Sequence, residues 1–399
     1  MSRRQPVVGI LGGGQLARML VLAGAPLGVN FVVVDGSPDA CAGQVAPLRV
    51  ADWRDTDSLA RFAAEVDVVT FDFENVPAET AEWLSGRVPV YPNPAALTVA
   101  QDRVTEKTVF RGIGLETPAF AAVATRAELD AAVVVTGLPA ILKTRRLGYD
   151  GKGQFRLRAP TDLDAAWVAL GPQAEPHGLV LEAFVPFTRE LSVLAARGRA
   201  GEFRAWPLTR NWHHEGILAL SQAPAAADAA LAAAAIARAR ALAERLDYVG
   251  VLALELFEHG GRLLGNEMAP RVHNSGHWTL EGAVTSQFEN HIRAVLGWPL
   301  GDTALCANSL MFNWIGSLPE PAAAALALPG VHWHDYGKAP RPGRKVGHAT
   351  VCARDDATLA ARAGDMARVL ARAEQLAPAR AVLPEVWAPC PERAPAAAR

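Results

Sequence analysis

The sequence predicts a multidomain protein of mixed α/β and α+β class, and three observations carry that prediction. A strand, a glycine turn, a helix and a second strand follow one another over residues 7–34. A glycine-rich loop separates two strand patterns near residue 150, and strand patterns with a hairpin turn lie between residues 190 and 267. With 399 residues, 50% of them hydrophobic and 20% charged, the chain can bury cores in two or three domains.

The composition excludes several classes of partner. A formal net charge of -2 provides no overall field for nucleic acid or an anionic membrane surface. The 4 cysteines are far apart in the sequence, so neither a CxxC metal pair nor a dense disulfide framework is available. The apolar run Val7–Leu11 is too short for a signal peptide, and no later run approaches a membrane span. We therefore expect a cytoplasmic protein with no nucleic-acid or membrane partner.

The element patterns divide the chain into successive units. Residues 1–100 are expected to form a small parallel sheet, whose later strand Val66–Phe71 ends in an acidic cluster at 72–75. Residues 101–188 form a smaller unit that carries the glycine-rich loop. Residues 189–388 form a larger α+β unit with a C-terminal part from about residue 326, and 389–399 is a disordered tail. The alanine-rich segment 225–245 is predicted to be a packing helix.

The first chemical candidate is the glycine turn Gly12-Gly13-Gly14 after the first strand, with Asp35 ending the next strand. This spacing meets the dinucleotide-binding fingerprint superficially. Gln15 beside the turn is a polar group that could equally face a substrate in another enzyme class. A structural turn and a nicotinamide-cofactor site therefore remain equally open at this point.

The second candidate is the basic, glycine-rich segment from Lys143 to Gln154 between two predicted strands. Backbone N–H groups and lysines can neutralise the charge on a transferring phosphoryl group, and a mobile lid excludes water. We interpret the segment as such a lid rather than as an exposed basic hairpin. The strand end Glu182–Val185, followed by Glu190, could hold a purine and ribose. On its own a glutamate at a strand end is more often simply solvated, so this interpretation depends on the other motifs.

The third candidate is a pair of acidic residues, Glu255 and Glu267, on strand patterns separated by the turn signal His259-Gly260-Gly261. In a hairpin of the right register, both carboxylates share one face and can hold Mg²⁺, which takes oxygen ligands and bridges ATP phosphates. A slip of one residue places them on opposite faces. Asn266 offers a further oxygen ligand.

Two further segments concentrate polar groups. The stretch from Asn266 to Thr279 has no helical or strand periodicity, and a packed core rarely tolerates its density of polar side chains. Arg271, His273 and Asn274 within it therefore predict an active-site loop. The segment Lys338–Lys345 is a short basic loop suited to a monophosphate, although on its own a solvated loop is the simpler interpretation.

Together these motifs resemble the N5-carboxyaminoimidazole ribonucleotide synthase family, the bicarbonate-dependent ATP-grasp enzymes of purine synthesis. The resemblance covers nearly the whole chain and is carried, in order, by GGGQLARML, TFDFENVP, GYDGKGQ, GNEMAPRVHNSGHWT and RPGRKVGH. It implies an ATP-grasp fold preceded by a Rossmann-like preATP-grasp domain. It also implies ATP and bicarbonate as co-substrates, 5-aminoimidazole ribonucleotide as the amine substrate, Mg²⁺ with Mn²⁺ as a substitute, and a homodimer.

The resemblance also implies roles for individual residues. The implied ATP-binding positions are Arg103, Lys143, Gly148, Tyr149, Asp150, Gly151, Lys152, Gly153, Gln154, Glu182, Ala183, Phe184, Val185, Glu190, His213, Asn266 and Glu267. The implied metal ligands are Glu255 and Glu267. The implied substrate-binding positions are Gln15, Glu74, Asn274, Ser275, Lys338, Arg344 and Lys345. The implied catalytic positions are Glu74, Tyr149, Asp150, Arg271 and His273.

The implied reaction begins with attack of bicarbonate on the γ-phosphate of ATP, and Asp150 or His273 is the candidate for moving the proton of the substrate amine. The nearest alternative is a formate-dependent transformylase acting on glycinamide ribonucleotide, but the motifs at 73–75 and 273–278 favour the bicarbonate enzyme. An NAD-dependent oxidoreductase leaves Glu255, Glu267 and the loop at 148–154 without a role. A non-catalytic nucleotide-binding regulator with the same fold is disfavoured, because it would not need both Glu255 and Glu267.

Overall fold

The computed structural model describes residues 4–148 and 153–372, and the first sheet in it is parallel, with strand order β3-β2-β1-β4. Its strands are β1 (Val7–Leu11), β2 (Asn30–Asp35), β3 (Leu48–Val50) and β4 (Val68–Phe71). Its helices are α1 (Gln15–Gly24), α2 (Thr56–Glu65), α3 (Ala78–Ser85) and α4 (Pro94–Ala100). The predicted opening of strand, turn, helix and strand is confirmed. Because the carboxyl ends of parallel strands meet at one edge, the glycine turn, Asp35 and Asp72 lie together there.

The second sheet is antiparallel, with strand order β5-β8-β6-β7. It follows helix α5 (Arg103–Gly112), which begins where the Asp102 side chain accepts hydrogen bonds from the N–H groups of Val104 and Thr105. Its strands and helices are β5 (Phe120–Val123), α6 (Arg126–Thr136), β6 (Ala140–Thr144), β7 (Gln154–Leu157), α7 (Leu163–Leu170) and β8 (Leu179–Ala183). The strands predicted on both sides of the glycine-rich loop are confirmed as the paired strands β6 and β7.

The third sheet is the largest, with strand order β14-β13-β9-β11-β12-β15-β17-β16 and β10 paired to β9. Its strands are β9 (Arg189–Arg197), β10 (Phe203–Ala205), β11 (Thr209–His214), β12 (Ile217–Ala223), β13 (Gly250–His259), β14 (Arg262–Ala269), β15 (Asn308–Ile315), β16 (Val331–Asp335) and β17 (Lys345–Ala353). Its helices are α8 (Ala229–Arg245), α9 (Thr279–Gly282), α10 (Gln287–Leu296), α11 (Ala322–Leu326) and α12 (Asp356–Val369). Strands before and after residue 326 thus belong to one continuous sheet.

The alanine-rich helix α8 begins at Ala229, one turn later than the predicted start at Ala225. The Asp228 carboxylate accepts a hydrogen bond of 2.7 Å from the Leu231 N–H, and this cap fixes the first turn. Leu231 and Leu242 are buried in the core against the large sheet, so the predicted packing helix is confirmed. Among all helices of the described residues, none is long and apolar enough to span a membrane.

The parallel sheet is fixed against the large sheet by a shared core and one buried histidine. Leu20 of α1 and Ile292 of α10 belong to the same cluster of buried apolar residues. His291 accepts a hydrogen bond of 3.0 Å at Nδ1 from the Val251 N–H, so its Nε2–H donates to Thr70 Oγ1 at 2.7 Å. Burial lowers the pKa of His291 to about 3, which keeps the ring neutral. This junction places the edge of the parallel sheet next to the loop that follows β14.

Candidate active site

The two predicted metal carboxylates are direct neighbours in the hairpin of β13 and β14. Glu255 pairs with Glu267, so both side chains lie on one face of the large sheet. The register then shifts, and Leu256 pairs with Gly265. Asn266 is therefore the extra residue of a β-bulge, a feature that interrupts the alternation of side chains and re-aims them.

A group of cations surrounds these carboxylates and the strand end at Glu182. Arg103 forms an ion pair of 2.9 Å with Glu267, and Lys143 forms one of 2.9 Å with Glu182. Lys107 lies 3.4 Å from the same Glu182 carboxylate and donates a hydrogen bond of 2.9 Å to the backbone carbonyl of Asn266. Lys107 on α5 therefore contacts both Glu182 of the second sheet and the hairpin of β13 and β14.

Sequence reasoning missed Lys107, although a signal was present. Lys107 is four residues after Arg103 on α5, so both side chains lie on the same face of that helix. Glu106, also missed, is buried and accepts a hydrogen bond of 2.6 Å from the Met268 N–H. Burial raises the pKa of Glu106 to about 8. Helix α5 thus reaches β14 through two adjacent residues.

The electrostatics of this region keep the key carboxylates ionised. Burial alone favours the neutral acid at Glu182, but Lys107, Lys143 and Arg103 reverse its effect and lower the pKa of Glu182 to about 2. Burial also disfavours the charged form of Glu267, and Arg103 overcomes it, so that the pKa of Glu267 falls to about 2. Both groups therefore carry full negative charge at neutral pH.

The predicted purine and ribose positions lie next to this cluster. Glu182 Oε1 is buried and has no hydrogen-bond partner in the part of the chain that the structure describes. Glu190 forms a short hydrogen bond with His213, and both line a cavity of about 160 Å³ together with Phe187 and Trp212. Burial disfavours the charged imidazole, but Glu190 outweighs it and raises the pKa of His213.

The loop after β14 carries three predicted residues, of which His273 lies beside the carboxylate pair. His273 Nε2 lies 3.1 Å from Glu255 Oε1, and Arg271 forms an ion pair of 2.8 Å with Glu74 of the parallel-sheet edge. The amide of Asn274 is buried, and neither of its polar atoms has a partner within the described residues. Unpaired buried polar atoms are costly, so the Asn274 amide is a candidate position for contact with a ligand or water.

One fully buried side chain holds this loop in place. Gln287 Oε1 accepts a hydrogen bond of 2.9 Å from the His273 N–H, and Gln287 Nε2 donates one of 2.6 Å to the His273 carbonyl. Both backbone groups of His273 are thereby satisfied from the first turn of α10. These two hydrogen bonds fix the backbone of the residue whose ring lies 3.1 Å from Glu255.

The basic loop before β17 also reaches the site. Lys338 donates a short hydrogen bond to Gln15 at the start of α1, although the two residues are far apart in the sequence. Burial lowers the pKa of Lys338. Lys345 contributes its backbone carbonyl to Lys338 at 3.4 Å, while Arg344 donates to the Ala339 carbonyl within its own loop at 3.2 Å. The parallel sheet and the C-terminal strands therefore meet at Gln15.

The glycine turn binds the protein's own carboxylates. Asp35 accepts a hydrogen bond of 2.7 Å from the Gly13 N–H, and Asp72 accepts one of 3.2 Å from the Ala17 N–H. A Cβ on Gly12 would collide with Asp72 Oδ1. These donors are the ones that a dinucleotide pyrophosphate uses, so the turn is structural and the nicotinamide interpretation loses its support.

Part of the predicted lid lies outside the described residues, namely Tyr149, Asp150, Gly151 and Lys152. At one border, the Gly148 carbonyl lies 3.4 Å from the Arg103 guanidinium. At the other, Gly153 has a φ of 68° and Gln154 begins β7 opposite Lys143. On the strand end, Ala183 pairs with β6, Val185 is buried, and the guanidinium of Arg156 lies 4.1 Å from the Phe184 ring centroid.

Comparison with known families gives three matches along the chain. The ribonucleotide synthetase preATP-grasp domain matches residues 6–101, and the ATP-grasp domain matches residues 108–288. The phosphoribosylaminoimidazole carboxylase C-terminal domain matches residues 309–362. The three matches follow the order of the three regions that build the site.

Individual relatives agree over nearly the full length. The N5-carboxyaminoimidazole ribonucleotide synthase of Pseudomonas aeruginosa is 54% identical over 90% of this chain and 98% of its own length. The structure of the corresponding synthetase from Thermus thermophilus is 53% identical and has a TM-score of 0.87, covering 91% of this chain and 98% of that chain. The synthase of Aspergillus clavatus, solved with ADP and 5-aminoimidazole ribonucleotide, is 29% identical with a TM-score of 0.84, covering 92% and 99%.

Proposed function

The chain belongs to the N5-carboxyaminoimidazole ribonucleotide synthase family, and from this premise we propose how its residues carry out the reaction. The protein is an ATP-dependent carbon–nitrogen ligase with a preATP-grasp domain and an ATP-grasp domain. It carboxylates 5-aminoimidazole ribonucleotide with bicarbonate in purine synthesis, and ATP is converted to ADP and phosphate.

One observation carries the assignment of the site to this reaction. The paired carboxylates Glu255 and Glu267 are flanked by Arg103 on one side and by His273 on the other. Nucleotide phosphates and the substrate amine must be within reach of each other for carboxyl transfer, because proximity supplies much of the rate. The hairpin of β13 and β14 contacts both Arg103, on the side proposed for the nucleotide, and His273, on the side proposed for the substrate amine.

We assign Glu255 and Glu267 to Mg²⁺, with Mn²⁺ as a substitute. The fit is supported by the donor set, since Mg²⁺ uses one or two carboxylates and completes its shell with phosphates and water. Across the described ranges 4–148 and 153–372, no group of three or more potential metal-binding side chains occurs. When bound, Mg²⁺ neutralises charge on the ATP phosphates.

ATP is assigned to the cleft between the second sheet and β14. Arg103, Lys107 and Lys143 supply positive charge to the phosphates, and the loop at 148–154 covers them. The strand end Glu182–Val185 holds the base, which is supported by the unpartnered and buried Glu182 Oε1 within the described part of the chain. The Glu190 carboxylate and His213 are assigned to the ribose, and Asn266 lies beside the metal.

The ribonucleotide amine is assigned to the space between the parallel-sheet edge and the loop after β14. The buried amide of Asn274, unpartnered among the residues that the structure describes, supports this position. The other residues proposed here are Gln15, Glu74, Tyr149, Asp150, Arg271, His273, Ser275, Lys338, Arg344 and Lys345. Lysine and arginine side chains of the loop before β17 are suited to the monophosphate of the substrate.

The chemistry proceeds in two balanced steps. An oxygen of bicarbonate attacks the γ-phosphorus of ATP, the bond to the bridging oxygen breaks, and ADP leaves with the electron pair to give carboxyphosphate. The exocyclic amine then attacks the carboxyl carbon of carboxyphosphate, and phosphate leaves as the carbon–nitrogen bond forms. In the alternative route carboxyphosphate first breaks into CO₂ and phosphate, and the amine adds to the CO₂. The amine loses one proton, for which Asp150 and His273 are the candidates. Exclusion of water protects the intermediate.

We further propose that the protein is a cytoplasmic homodimer. Family membership supports this assembly. The proposed units are residues 1–100, 101–188 and 189–388, with a C-terminal substrate-binding part from about residue 326 and a tail at 389–399.

The proposal is tested by ADP release from MgATP with the purified protein. We expect turnover that requires both 5-aminoimidazole ribonucleotide and bicarbonate, and little turnover in bicarbonate-depleted buffer. A parallel reaction contains glycinamide ribonucleotide and formate. Turnover only in that parallel reaction would replace the bicarbonate ligase with a transformylase, and no turnover in either would overturn the assigned activity.

A further inference from the structure

A row of buried polar side chains continues from the carboxylate pair into the large sheet. Ser192 on β9 pairs with Glu255 on β13, and Asn211 on β11 pairs with Ser221 on β12. Ser192, Asn211 and Ser221 are 0%, 4% and 0% exposed. Polar groups are rare at such positions unless they are fully hydrogen-bonded, so the row requires a reason.

These side chains form one chain of hydrogen bonds that ends on His273. Ser221 Oγ donates to Asn211 Oδ1 at 2.8 Å, and Asn211 Nδ2 donates to Ser192 Oγ at 3.0 Å. Ser192 Oγ donates to Ser275 Oγ at 2.8 Å. The Ser275 hydroxyl then lies 2.9 Å from His273 Nδ1.

The direction of the chain follows from a backbone group. The Ser275 N–H lies 3.3 Å from His273 Nδ1 and can only donate, so Nδ1 accepts. The Ser275 hydroxyl, which already accepts from Ser192, therefore also donates to Nδ1. The neutral ring must then carry its proton on Nε2, the atom that lies 3.1 Å from Glu255 Oε1.

We propose that Ser192 and Asn211 are positioning residues that act through Ser275 to hold the His273 ring with Nε2 facing Glu255. The inference rests on the proposed function only in taking Glu255 as a metal-side carboxylate. In this state the Nδ1 lone pair is occupied and Nε2 carries a proton. His273 is therefore a positioning residue beside Glu255, and of the two candidates for the proton of the substrate amine only Asp150 remains.

This chain of hydrogen bonds also connects strands β9 and β11 of the large sheet to the loop that carries His273. Outer partners that orient a ligating group typically change metal affinity or activity by about 10- to 100-fold when they are removed. Ser192→Ala removes the hydroxyl that donates to Ser275 and leaves a buried Asn211 N–H unpaired. We expect kcat to fall about 10-fold and the Mg²⁺ concentration for half-maximal activity to rise, since Glu255 loses its fixed orientation.

The test reads the tautomer directly in the protein without nucleotide. Nitrogen-15 NMR of histidine-labelled protein distinguishes protonated from unprotonated ring nitrogens, and the His273 signals are identified by their loss in His273→Asn. We expect an unprotonated Nδ1 and a protonated Nε2 in the wild-type protein. In Ser192→Ala the Ser275 N–H still donates to Nδ1, so we expect the same tautomer but shifted and broadened His273 ring signals, because the Ser275 hydroxyl is no longer fixed by Ser192.

Ser309→Ala is the matched control. Ser309 is also fully buried on a strand of the same sheet, but it takes no part in the chain of hydrogen bonds that ends on His273. It should retain the wild-type His273 signals and kcat. A wild-type His273 with its proton on Nδ1 would overturn the proposal without any variant. So would a Ser192→Ala protein whose His273 signals and kcat are the same as those of the wild type. Because these spectra need no substrate, their outcome is independent of whether the ligase activity is found.

Discussion

Replacing Lys107 with methionine should destabilise the protein far more than loss of a surface lysine. Lys107 is 0% exposed, and its ammonium contacts both the Glu182 carboxylate at 3.4 Å and the Asn266 carbonyl at 2.9 Å. Methionine has a similar volume but no charge and no donor. The variant therefore leaves a buried carboxylate with less positive charge around it and a carbonyl without this partner.

The size of the effect follows from the electrostatics of Glu182. Its pKa falls from 4.5 to about 2, a gap of about 2.5 units, which corresponds to about 3 kcal/mol of native-state stabilisation at neutral pH. Breaking a buried ion pair by removing one partner costs about 3–5 kcal/mol. Because Lys143 remains 2.9 Å from the carboxylate, we expect the lower end, about 3 kcal/mol.

The assay is a double-mutant cycle of Lys107→Met, Glu182→Gln and their combination, measured by urea denaturation at pH 7 with fluorescence and circular dichroism. The double variant should be more stable than the sum of the single effects predicts, by about 1–3 kcal/mol. Arg204→Met is the control, since Arg204 and Glu202 form an exposed ion pair worth less than about 1 kcal/mol. Additivity within about 0.5 kcal/mol would refute the buried coupling.

Three further predictions concern separate parts of the molecule. Gly12→Ala should lower stability by more than about 2 kcal/mol in denaturation, because φ is 93° and the new Cβ meets the Asp72 carboxylate, whereas Gly260→Ala, at φ 57° with no neighbouring atoms, should cost only about 1 kcal/mol. Because burial lowers the pKa of His291 to about 3, the contribution of this residue to the free energy of unfolding is complete above about pH 6.5 and declines as the pH falls toward 3. Between about pH 7 and 5 the free energy of unfolding of the wild type should fall by about 2 kcal/mol more than that of His291→Asn. Equal losses in the two proteins would contradict this prediction. Glu267→Gln should reduce ATP turnover by at least about 100-fold while the apparent Mg²⁺ requirement rises, and unchanged kinetics would remove this carboxylate from the site.

Local patterns predicted the elements well, and long-range contacts decided what they could not. The turn at 259–261 was sufficient to predict a hairpin, but its register was left open, and only the structure shows that Glu255 pairs with Glu267. The bulge at Asn266 was not predictable, because an inserted residue in a ladder depends on the pairing of the neighbouring strand. The predicted start of helix α8 was one turn too early, because the alanines before Asp228 have the same helix propensity as those after it.

The site residues likewise divide into those that local patterns predicted and those that only long-range contacts reveal. Lys107 was missed because a lysine on a helix is ordinarily exposed, and only the arrival of Glu182 and the Asn266 carbonyl from other elements makes its burial favourable. Gln15 and Lys338 were each singled out by their motifs, but nothing local indicates that they are hydrogen-bonded to each other. Asp72 was assigned to an acidic cluster at a strand end, and the fold uses it to hold the glycine turn.

The most direct test of the central claim follows oxygen from bicarbonate into phosphate. The protein is incubated with ATP, 5-aminoimidazole ribonucleotide and bicarbonate labelled with oxygen-18, and the inorganic phosphate is examined by mass spectrometry. If bicarbonate attacks the γ-phosphate and the carbon–oxygen bond later breaks, each phosphate should carry one labelled oxygen, and formation of the carboxylated product should match ADP release. Product formation with unlabelled phosphate would contradict phosphorylation of bicarbonate, and ADP release with no carboxylated product would contradict the ligase activity.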